Sequence, residues 1–518
     1  MRALLVVLAF VCAPALAQEE PAFTFDQAVV DDGSFFFFID FEVPVGTAEI
    51  EIRHASVDDG DVIDFGLEDP AGFRGWGGGN SEPAIVGVRA ASRSYRPGPI
   101  AAGTWHVVVG KAQLLSAAPA LHVEVFLRTA PTLPDAVDRA PYEPATLSTT
   151  ARFYAGDLHV HSADSGDARP ELAEIAAFAR GKGLDFVVIT DHNTDSHVDR
   201  ITPAQALEAD LLFVPGVEFT TYGGHATGFG LSRYVDHKIG MTTSVDDAVD
   251  DVHGQGGLFS INHPVLDLGD ECIGCAWVNE LPPAFDGVEI ATGGYRQSGF
   301  IFDDDARDFW DALLDDGRHL APVGGSDDHR AGVDIGAFGS PIGDPTTMVF
   351  AENLSVAALQ QGIRDSRTVV KLQGPDDAMI DLQTSPKRSG DSVVDDGDIT
   401  LTAIITGGLG QRARFMLEGF EEGEQVDVDA DPFTLTRVVQ APAAGEERWR
   451  VEVLVDGHVQ VVTGNVWVRQ PEPVPPGCGP GGCGGSPALL LALGLLRRRR
   501  RPGVTFVARA FWRTVPRG

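Results

Sequence analysis

The pattern of hydrophobic and polar residues changes twice along the chain, and its first part is typical of β-structure. Residues 18–148 carry short apolar runs separated by Gly, Pro and Asp, and residues 48–52 alternate between polar and apolar side chains. Such alternation is expected of half-buried strands. We predict an N-terminal β-sandwich over 18–148. Because the segment collects no catalytic residue types, we interpret it as an accessory domain, which ends in a linker marked by Pro131, Pro134, Pro141 and Pro144.

In the second part, over residues 149–378, apolar strands alternate with helical segments. A helix is predicted from Pro170 to Lys182, a buried strand over 184–190, and another helix over 245–253. This alternation is typical of βα units, and polar residues recur just after the strands. In a barrel of parallel strands the strand ends converge on one face, where functional sites are built. We therefore predict an α/β barrel that carries the site.

From residue 379 to 470 strands return without helices, which predicts an immunoglobulin-like β-domain. Three aspartates in this region alternate, but they lack the glycine and glutamate spacing of a calcium loop, so we interpret them as a solvated acidic turn. Residues 471–501 contain a Pro-rich linker, two cysteines in a Gly-rich stretch, an apolar segment and five arginines. Residues 502–518 receive no assignment. The three aspartates are Asp427, Asp429 and Asp431.

The N-terminus has the pattern of an export signal. Met1-Arg2 precedes an apolar run, and Ala15-Leu16-Ala17 is an A-x-A cleavage signature. The alternative, a transmembrane anchor, fits less well because the run is too short to span a bilayer. We expect residues 1–17 to be removed and the mature protein to be periplasmic, surface-attached or secreted.

Charge and cysteine content narrow the range of partners. The 518-residue chain has 75 acidic and 39 basic residues, a formal net charge of -36. Such a surface repels nucleic-acid backbones, so we expect a small-molecule substrate and no nucleic acid. Cys272 and Cys275 form a C-x-x-C with no second pair nearby to complete a zinc site. In an exported protein a local disulfide is the expected state, and two free thiols are the alternative.

The candidate chemistry begins at His159 and His161. At the end of a strand, residues i and i+2 project to the same side, so both imidazoles can share one metal ion. Further imidazoles and carboxylates follow later strands, and such mixed donors suit Zn, Mn or Fe ions. Nine donors exceed the needs of one ion, so we predict two or three divalent ions with a bridging carboxylate. The nine are His159, His161, Asp167, His192, Glu218, His225, His263, Asp327 and His329.

These motifs, in their order, resemble those of the PHP (polymerase and histidinol phosphatase) superfamily. The resemblance spans residues 152–375, and residues 69–75 and 95–99 are similar to the N-terminal part of CehA/McbA-type members. Residues 477–501 resemble bacterial C-terminal sorting tails, notably those of myxobacteria, with a disordered basic tail as the alternative. The motifs are Asp157-Leu158-His159-Val160-His161-Ser162 with Ser165 and Asp167, Ile189-Thr190-Asp191-His192-Asn193, Gly216-Val217-Glu218, Asn262-His263-Pro264 and Gly325-Ser326-Asp327-Asp328-His329.

The resemblance implies a distorted (β/α)7 barrel with a site of two or three ions. By position, a first ion would be held by His159, His161, Glu218 and Asp327. Glu218 would bridge to a second ion held with His225 and His263. A third would be held by Asp167, His192 and His329, and Asp167 stands where some relatives have histidine. His253 is expected to be structural, and no motif supports His197 or His237.

The implied function is a metal-dependent hydrolase that cleaves a phosphoester with a metal-activated water. Asp191 is a candidate second-sphere orienter or proton acceptor. Arg330 is a candidate clamp for an anionic oxygen, or else a surface arginine. Two alternatives stay open: hydrolysis of a carbamate or carboxylic ester at the same site, and a non-enzymatic surface binding protein. The sorting tail would allow a transient association with the membrane.

Overall fold

The structure, a computed structural model, describes residues 19–57, 60–269, 272–293, 301–335 and 339–472. The chain divides into a compact unit, Met1–Pro471, and a second unit, Glu472–Gly518. The predicted signal peptide and the predicted tail beyond residue 472 lie outside the described residues. Within the described ranges, no helix is long and apolar enough to cross a membrane.

Residues 23–128 form two antiparallel four-stranded sheets that share one core. The first sheet has the order β1-β8-β3-β6 and the second β2-β7-β4-β5. In β2, Ile39, Phe41 and Val43 are buried while Asp40 and Glu42 are exposed, as the period of two requires. The strands are β1 (Phe23–Ala28), β2 (Phe36–Val43), β3 (Glu49–Ser56), β4 (Val62–Asp69), β5 (Gly72–Gly78), β6 (Ala84–Gly87), β7 (Gly103–Gln113) and β8 (Ala120–Arg128).

The strands that carry the site form one half of a fifteen-stranded sheet. They follow each other in the order β16-β15-β14-β13-β12-β11-β10. They are β10 (Arg152–Val160), β11 (Phe186–Ile189), β12 (Leu212–Thr221), β13 (Gly224–Phe229), β14 (Leu258–Ile261), β15 (Gly287–Ala291) and β16 (Ala321–Gly324). The accompanying helices are α1 (Leu172–Gly181), α2 (Val198–Gln205), α3 (Val245–Gly254) and α4 (Ile301–Asp315).

The regular alternation of a (β/α)7 barrel is not what these residues form. β12 and β13 are an antiparallel hairpin in which Thr221 pairs with Gly224, and β13 is also antiparallel to β14. A turn of two residues leaves no room for a crossover helix. The described residues between β14 and β15 also contain no α-helix. The result is a mostly parallel sheet with few helices, and Val160 and Asp328, from its two ends, form an isolated bridge beside the site.

The remaining strands continue the same sheet into the C-terminal region. β17 pairs with β10, β19 with β17, and β27 with β19, so hydrogen bonds run across the predicted boundary at 378/379. The placement of domain boundaries stays a prediction. The elements are β9 (Thr146–Ser148), β17 (Thr346–Ala351), β18 (Leu354–Ser355), α5 (Val356–Arg364), β19 (Thr368–Lys371), β20 (Met379–Ser385), β21 (Ser392–Val394), β22 (Asp398–Thr406), β23 (Arg412–Leu417), β24 (Phe420–Asp427), β25 (Phe433–Gln440), β26 (Glu446–Val455), β27 (His458–Thr463) and β28 (Val466–Arg469).

The N-terminal sheets pack directly against the sheet that carries the site. The Phe73 and Tyr234 rings stack with centroids 3.6 Å apart. Ser94 Oγ donates to the carbonyl oxygen of Asp164 at 2.8 Å. A Cβ on Gly166 would lie 2.3 Å from the carbonyl oxygen of Gly77, so only glycine allows this approach. The loop that follows the His159/His161 strand is therefore fixed by contacts with the N-terminal sheets.

Candidate metal centre

His159 and His161 lie at the end of β10, and both side chains are fully buried. Their Nε2 atoms are 3.3 and 3.1 Å from the same oxygen, Oδ1 of Asp327. Gly325 makes this possible because a Cβ there would lie 2.3 Å from Cβ of His159. The structure thus brings the predicted histidine pair together with the predicted aspartate, which lies 166 or more positions later in the sequence.

Glu218, at the middle of β12, is the fully buried carboxylate on which the cluster converges. Its Oε1 lies 3.2 Å from His159 Nε2, 3.3 Å from His225 Nδ1 and 3.4 Å from His263 Nε2. Its Oε2 lies 2.6 Å from His192 Nδ1 and 3.6 Å from His161 Nε2. Five imidazoles therefore surround one carboxylate, which is the arrangement expected of a bridging ligand.

A third group of predicted ligands lies at the outer edge of the cluster. Asp167 Oδ2 is 3.3 Å from the Nε2 atoms of both His192 and His329. Those two Nε2 atoms are 3.4 Å apart, and His161 completes a set of three imidazoles within reach of one ion. Asp167 is exposed toward the cleft, unlike the inner ligands. All nine predicted ligands thus lie in one cluster.

The chemistry of this donor set fits divalent metal ions. Nε2 of His159, His161 and His225 and Oδ1 of Asp327 are buried and have no hydrogen-bond partner among the described residues. Buried polar atoms without partners are costly, so a ligand for them is expected. Against the effect of burial, Glu218 and Asp327 raise the pKa of His159 well above its usual value, and the imidazoles hold the pKa of Glu218 well below its own.

Three ligand-bearing turns have backbone conformations that are unusual for residues other than glycine. The backbone is in the left-handed region at His263 (φ 25°), Asp327 (φ 56°) and Asn193 (φ 48°). Asn193 directly follows the candidate ligand His192. Asn193 is held there by two bonds to the backbone of Thr220, at 2.9 and 2.7 Å. Such strain is retained where the surroundings fix it, typically at functional sites.

Glu289, in β15, belongs to the cluster although the sequence did not point to it as a ligand. Its Oε1 is 3.2 Å from Nδ1 of His159, and its Oε2 accepts a hydrogen bond from the backbone N–H of His263 at 2.8 Å. Since His159 uses Nε2 toward Glu218, the carboxylate orients the ring through the other nitrogen. The available signal was an acidic residue between Val288 and Ile290 in a wholly buried strand.

Asp191 does not reach the cleft. Its carboxylate accepts bonds from the N–H and Oγ of Ser162, both at 2.6 Å, and lies 3.0 Å from Nδ1 of His197. It therefore braces the turn that follows His161, and His197, which no motif supported, is its partner. Asp157 similarly holds the turn before Asp327, because its carboxylate accepts hydrogen bonds from the backbone N–H groups of Ser326 and Gly343.

The cluster opens into a cleft of about 670 Å³. Asp167, His192 and His329 line its floor, and the exposed Arg330 stands at its rim. The opposite wall comes from the N-terminal sheets, which the sequence predicted to be accessory. The residues of that wall include Asp64, Trp76 and Asn80. Whether Arg330 clamps a substrate stays a prediction.

The remaining sequence expectations concern residues beside the cluster. Cys272 and Cys275 are joined in a disulfide on the cleft wall, and the carbonyl oxygen of Cys275 is 3.1 Å from Nδ1 of His263. His253 pairs with Asp286 at 2.8 Å, outside the cluster. His237 packs on Trp76 with ring centroids 4.4 Å apart. The predicted acidic turn has all three aspartates exposed: Asp427, Asp429 and Asp431.

Comparisons with known proteins give three distant likenesses. An uncharacterized protein of Methanocaldococcus jannaschii is 28% identical over 161 residues, covering 28% of this chain and 85% of its own. No family model matches the chain. A two-domain protein from Bacteroides vulgatus, described as containing a predicted PHP-like metal-dependent phosphoesterase, gives a TM-score of 0.33 at 18% identity, over 64% of this chain and 99% of its own.

The second solved structure is a candidate metal-dependent phosphoesterase from Bifidobacterium adolescentis. Its TM-score is 0.22 at 14% identity, over 36% of this chain and 89% of its own. Similarity at this level assigns neither the fold nor the family of this chain. The functional argument therefore rests on the residues of the cluster.

Proposed function

We propose that this chain is a metal-dependent hydrolase of the PHP type that cleaves a phosphoester with a metal-activated water. The observation that carries the proposal is the buried Glu218, surrounded by five imidazoles within 3.6 Å of its oxygens. A buried carboxylate is expected to bind a metal ion or to be paired with an opposite charge. The order of the motifs in the sequence, which resembles that of PHP proteins, supports the same conclusion.

In this proposal each group of ligands has a defined task. His159, His161 and Asp327 would hold one ion, and Glu218 would be shared with a second that His225 and His263 would hold. Asp167, His192 and His329 would hold a third. The bound ions supply charge neutralisation at the attacked group and lower the pKa of water. Glu289 and Asp191 keep His159 and the turn after His161 in place, and Arg330 binds an anionic oxygen at the rim.

A carbamate or carboxylic ester is the second candidate substrate class. Arg330 is the only lysine or arginine among the described residues that line the cleft. Leu266, Leu268 and Ile273 add an apolar side to the lining. A single cation suits a substrate with little charge outside the reacting group, which both an uncharged ester and a phosphoester of an apolar alcohol satisfy.

We further propose that the protein is exported and acts outside the cytoplasm. The support is the sequence pattern of residues 1–17 and the disulfide between Cys272 and Cys275, since disulfides persist in oxidising compartments. The tail after residue 477 would then direct surface display or release. Mass spectrometry of the protein recovered from the producing cells tests this: a chain that still begins at Met1 would contradict it.

The decisive experiment combines metal analysis with a substrate panel. The purified mature protein should contain two or three equivalents of Zn, Mn or Fe and hydrolyse chromogenic phosphomonoesters or phosphodiesters. Turnover of carbamates or carboxylic esters alone would favour the second candidate. The double variant His159→Ala/His161→Ala should lose both metal and activity, whereas His253→Ala should keep both. A metal-free protein without turnover would instead favour a surface binding role.

A further inference from the structure

The wall of the cleft that faces the metal centre carries one acidic group with no cationic partner. Asp64 lies in β4 of the second N-terminal sheet and lines the cleft together with Asp167 and His192. No ion pair joins it to a lysine or arginine among the described residues. Its Oδ2 accepts a hydrogen bond from the Tyr222 hydroxyl at 2.6 Å. Its other oxygen therefore remains available to the cleft.

The pairing of Asp64 with Tyr222 depends on specific packing. Tyr222 is at the tip of the β12–β13 hairpin, and its ring stacks on Phe36 with centroids 5.5 Å apart. A Cβ on Gly110 would lie 2.2 Å from the Tyr222 hydroxyl, so glycine is required in β7 for the tyrosine to reach Asp64. The hairpin that contains Glu218 is in this way locked to the N-terminal sheet through the acid.

The surroundings of Asp64 favour its neutral form. Burial raises the pKa of Asp64 to about 6, and the charge of Asp167 adds to this. The Tyr222 hydroxyl bond and the charge of His192 act in the opposite direction. Asp64 is not itself one of the nine candidate ligands, and two of them, Asp167 and His192, line the same cleft. A carboxyl group that lines the cleft of a hydrolase beside its reacting centre, and whose pKa is raised toward neutrality, has the properties of a general acid.

We propose that Asp64 is the proton donor to the leaving group, a catalytic residue supplied by the N-terminal sheet, and that Tyr222 is its positioning residue. This inference rests on the proposed hydrolase function. In the step it describes, water oxygen bonds to phosphorus and the bond from phosphorus to the leaving oxygen breaks. The leaving oxygen keeps that electron pair and takes the proton of Asp64. Water releases its proton to solvent, from which Asp64 is reprotonated.

The same arrangement assigns a task to the N-terminal sheets. The substrate would lie with its reacting group at the metal ligands and its leaving group toward Asp64 and Trp76. Neutral or apolar leaving groups suit this wall because Trp76 and three consecutive glycines, Gly77–Gly79, line it without adding charge. Asp64 could alternatively bind a cationic group of the substrate. In that case its replacement would not affect poor leaving groups more than good ones.

The test is a series of aryl substrates with leaving groups of increasing pKa, from nitrophenol to unsubstituted phenol, in whichever ester class the wild type hydrolyses. A general acid contributes about 10²–10⁴-fold when the leaving group is poor and little when it is good. Asp64→Asn should therefore lose kcat/KM by about 10²-fold or more on the phenyl substrate and only a few-fold on the nitrophenyl one. It should also lose the decline of kcat/KM toward alkaline pH.

Two further variants keep the interpretation specific. Tyr222→Phe should shift the alkaline limb of the pH profile with a smaller loss of rate. Asp40→Asn, which removes an exposed acid from the same sheet, should behave as wild type. Metal content must equal that of wild type in all variants. An equal loss on every substrate of the series, or no loss, overturns the role of Asp64. A wild type that hydrolyses no substrate overturns the proposed function, and this inference with it.

Discussion

Replacing Glu289 by glutamine removes the charge that holds two candidate ligands in place. The carboxylate makes two contacts, 3.2 Å to Nδ1 of His159 and 2.8 Å to the backbone N–H of His263. Glutamine keeps one carbonyl oxygen and so preserves one of them. Groups that orient metal ligands typically contribute 10–100-fold to metal affinity. We therefore expect Glu289→Gln to weaken metal binding by about 10-fold, roughly 1.4 kcal/mol, and Glu289→Ala by about 100-fold.

The assay for Glu289 is a metal titration of the chelator-treated protein, by competition with a chromogenic chelator. The matched control is Glu51→Gln, which removes a buried carboxylate from the N-terminal sheet, where its partners are Arg53 and Arg128. The control should lose stability without losing metal affinity. Unchanged dissociation constants in both Glu289 variants, with native circular dichroism, would refute the role of Glu289 in orienting the ligands.

Two further predictions concern stability. Because divalent ions would bind the folded cluster and not the unfolded chain, chelation should lower the unfolding temperature, with a loss of about 4 kcal/mol per site when metal stands at a thousandfold excess over the dissociation constant. Equal melting curves with and without chelator would contradict this. His319 lies 2.5 Å from Asp391 and 2.6 Å from Glu446, and although burial opposes it, both acids raise its pKa. A raised pKa in the folded state adds stability that is complete below the ordinary histidine pKa and is lost as pH rises through the raised value. His319→Gln should therefore cost about 1 kcal/mol more at pH ~6 than at pH ~9 in urea unfolding, and a pH-independent difference would contradict it.

The sequence was sufficient to select residues that cluster in the structure, because their signals are local. His159 and His161 are two residues apart on one strand, and His192, Glu218 and Asp327 each follow or end an apolar run. Hydrophobic periodicity placed the strands, and the recurrence of donors after them placed the cluster. The predicted helix over 245–253 is observed as Val245–Gly254, where Ser244 caps the first turn, and such capping is likewise encoded within a few residues.

Long-range contacts account for what the sequence did not predict. β13 is short and wholly buried, and periodicity alone does not distinguish an antiparallel hairpin from one more parallel strand. Glu289 becomes recognisable only when β15 is placed beside His159. Asp64 is one of the many acidic residues of the chain and lies in a strand where polar and apolar residues alternate. Its contact with Tyr222 joins positions that are 158 residues apart in the sequence.

Electrostatics within the cluster fits divalent cations as the charge that neutralises its buried carboxylates. Glu218, Glu289 and Asp327 place three carboxylates around His159, and burying unpaired carboxylates costs several kcal/mol each. Protonating the surrounding imidazoles would put like charges close together, since the ring of His161 lies 4.0 Å from that of His329 and 4.4 Å from that of His192. Burial, with repulsion from those two rings, lowers the pKa of His161 to about 4. Neutral imidazoles that share compact divalent charges would satisfy the carboxylates and the unpaired ring nitrogens together, without the repulsion between His161 and its two neighbouring rings.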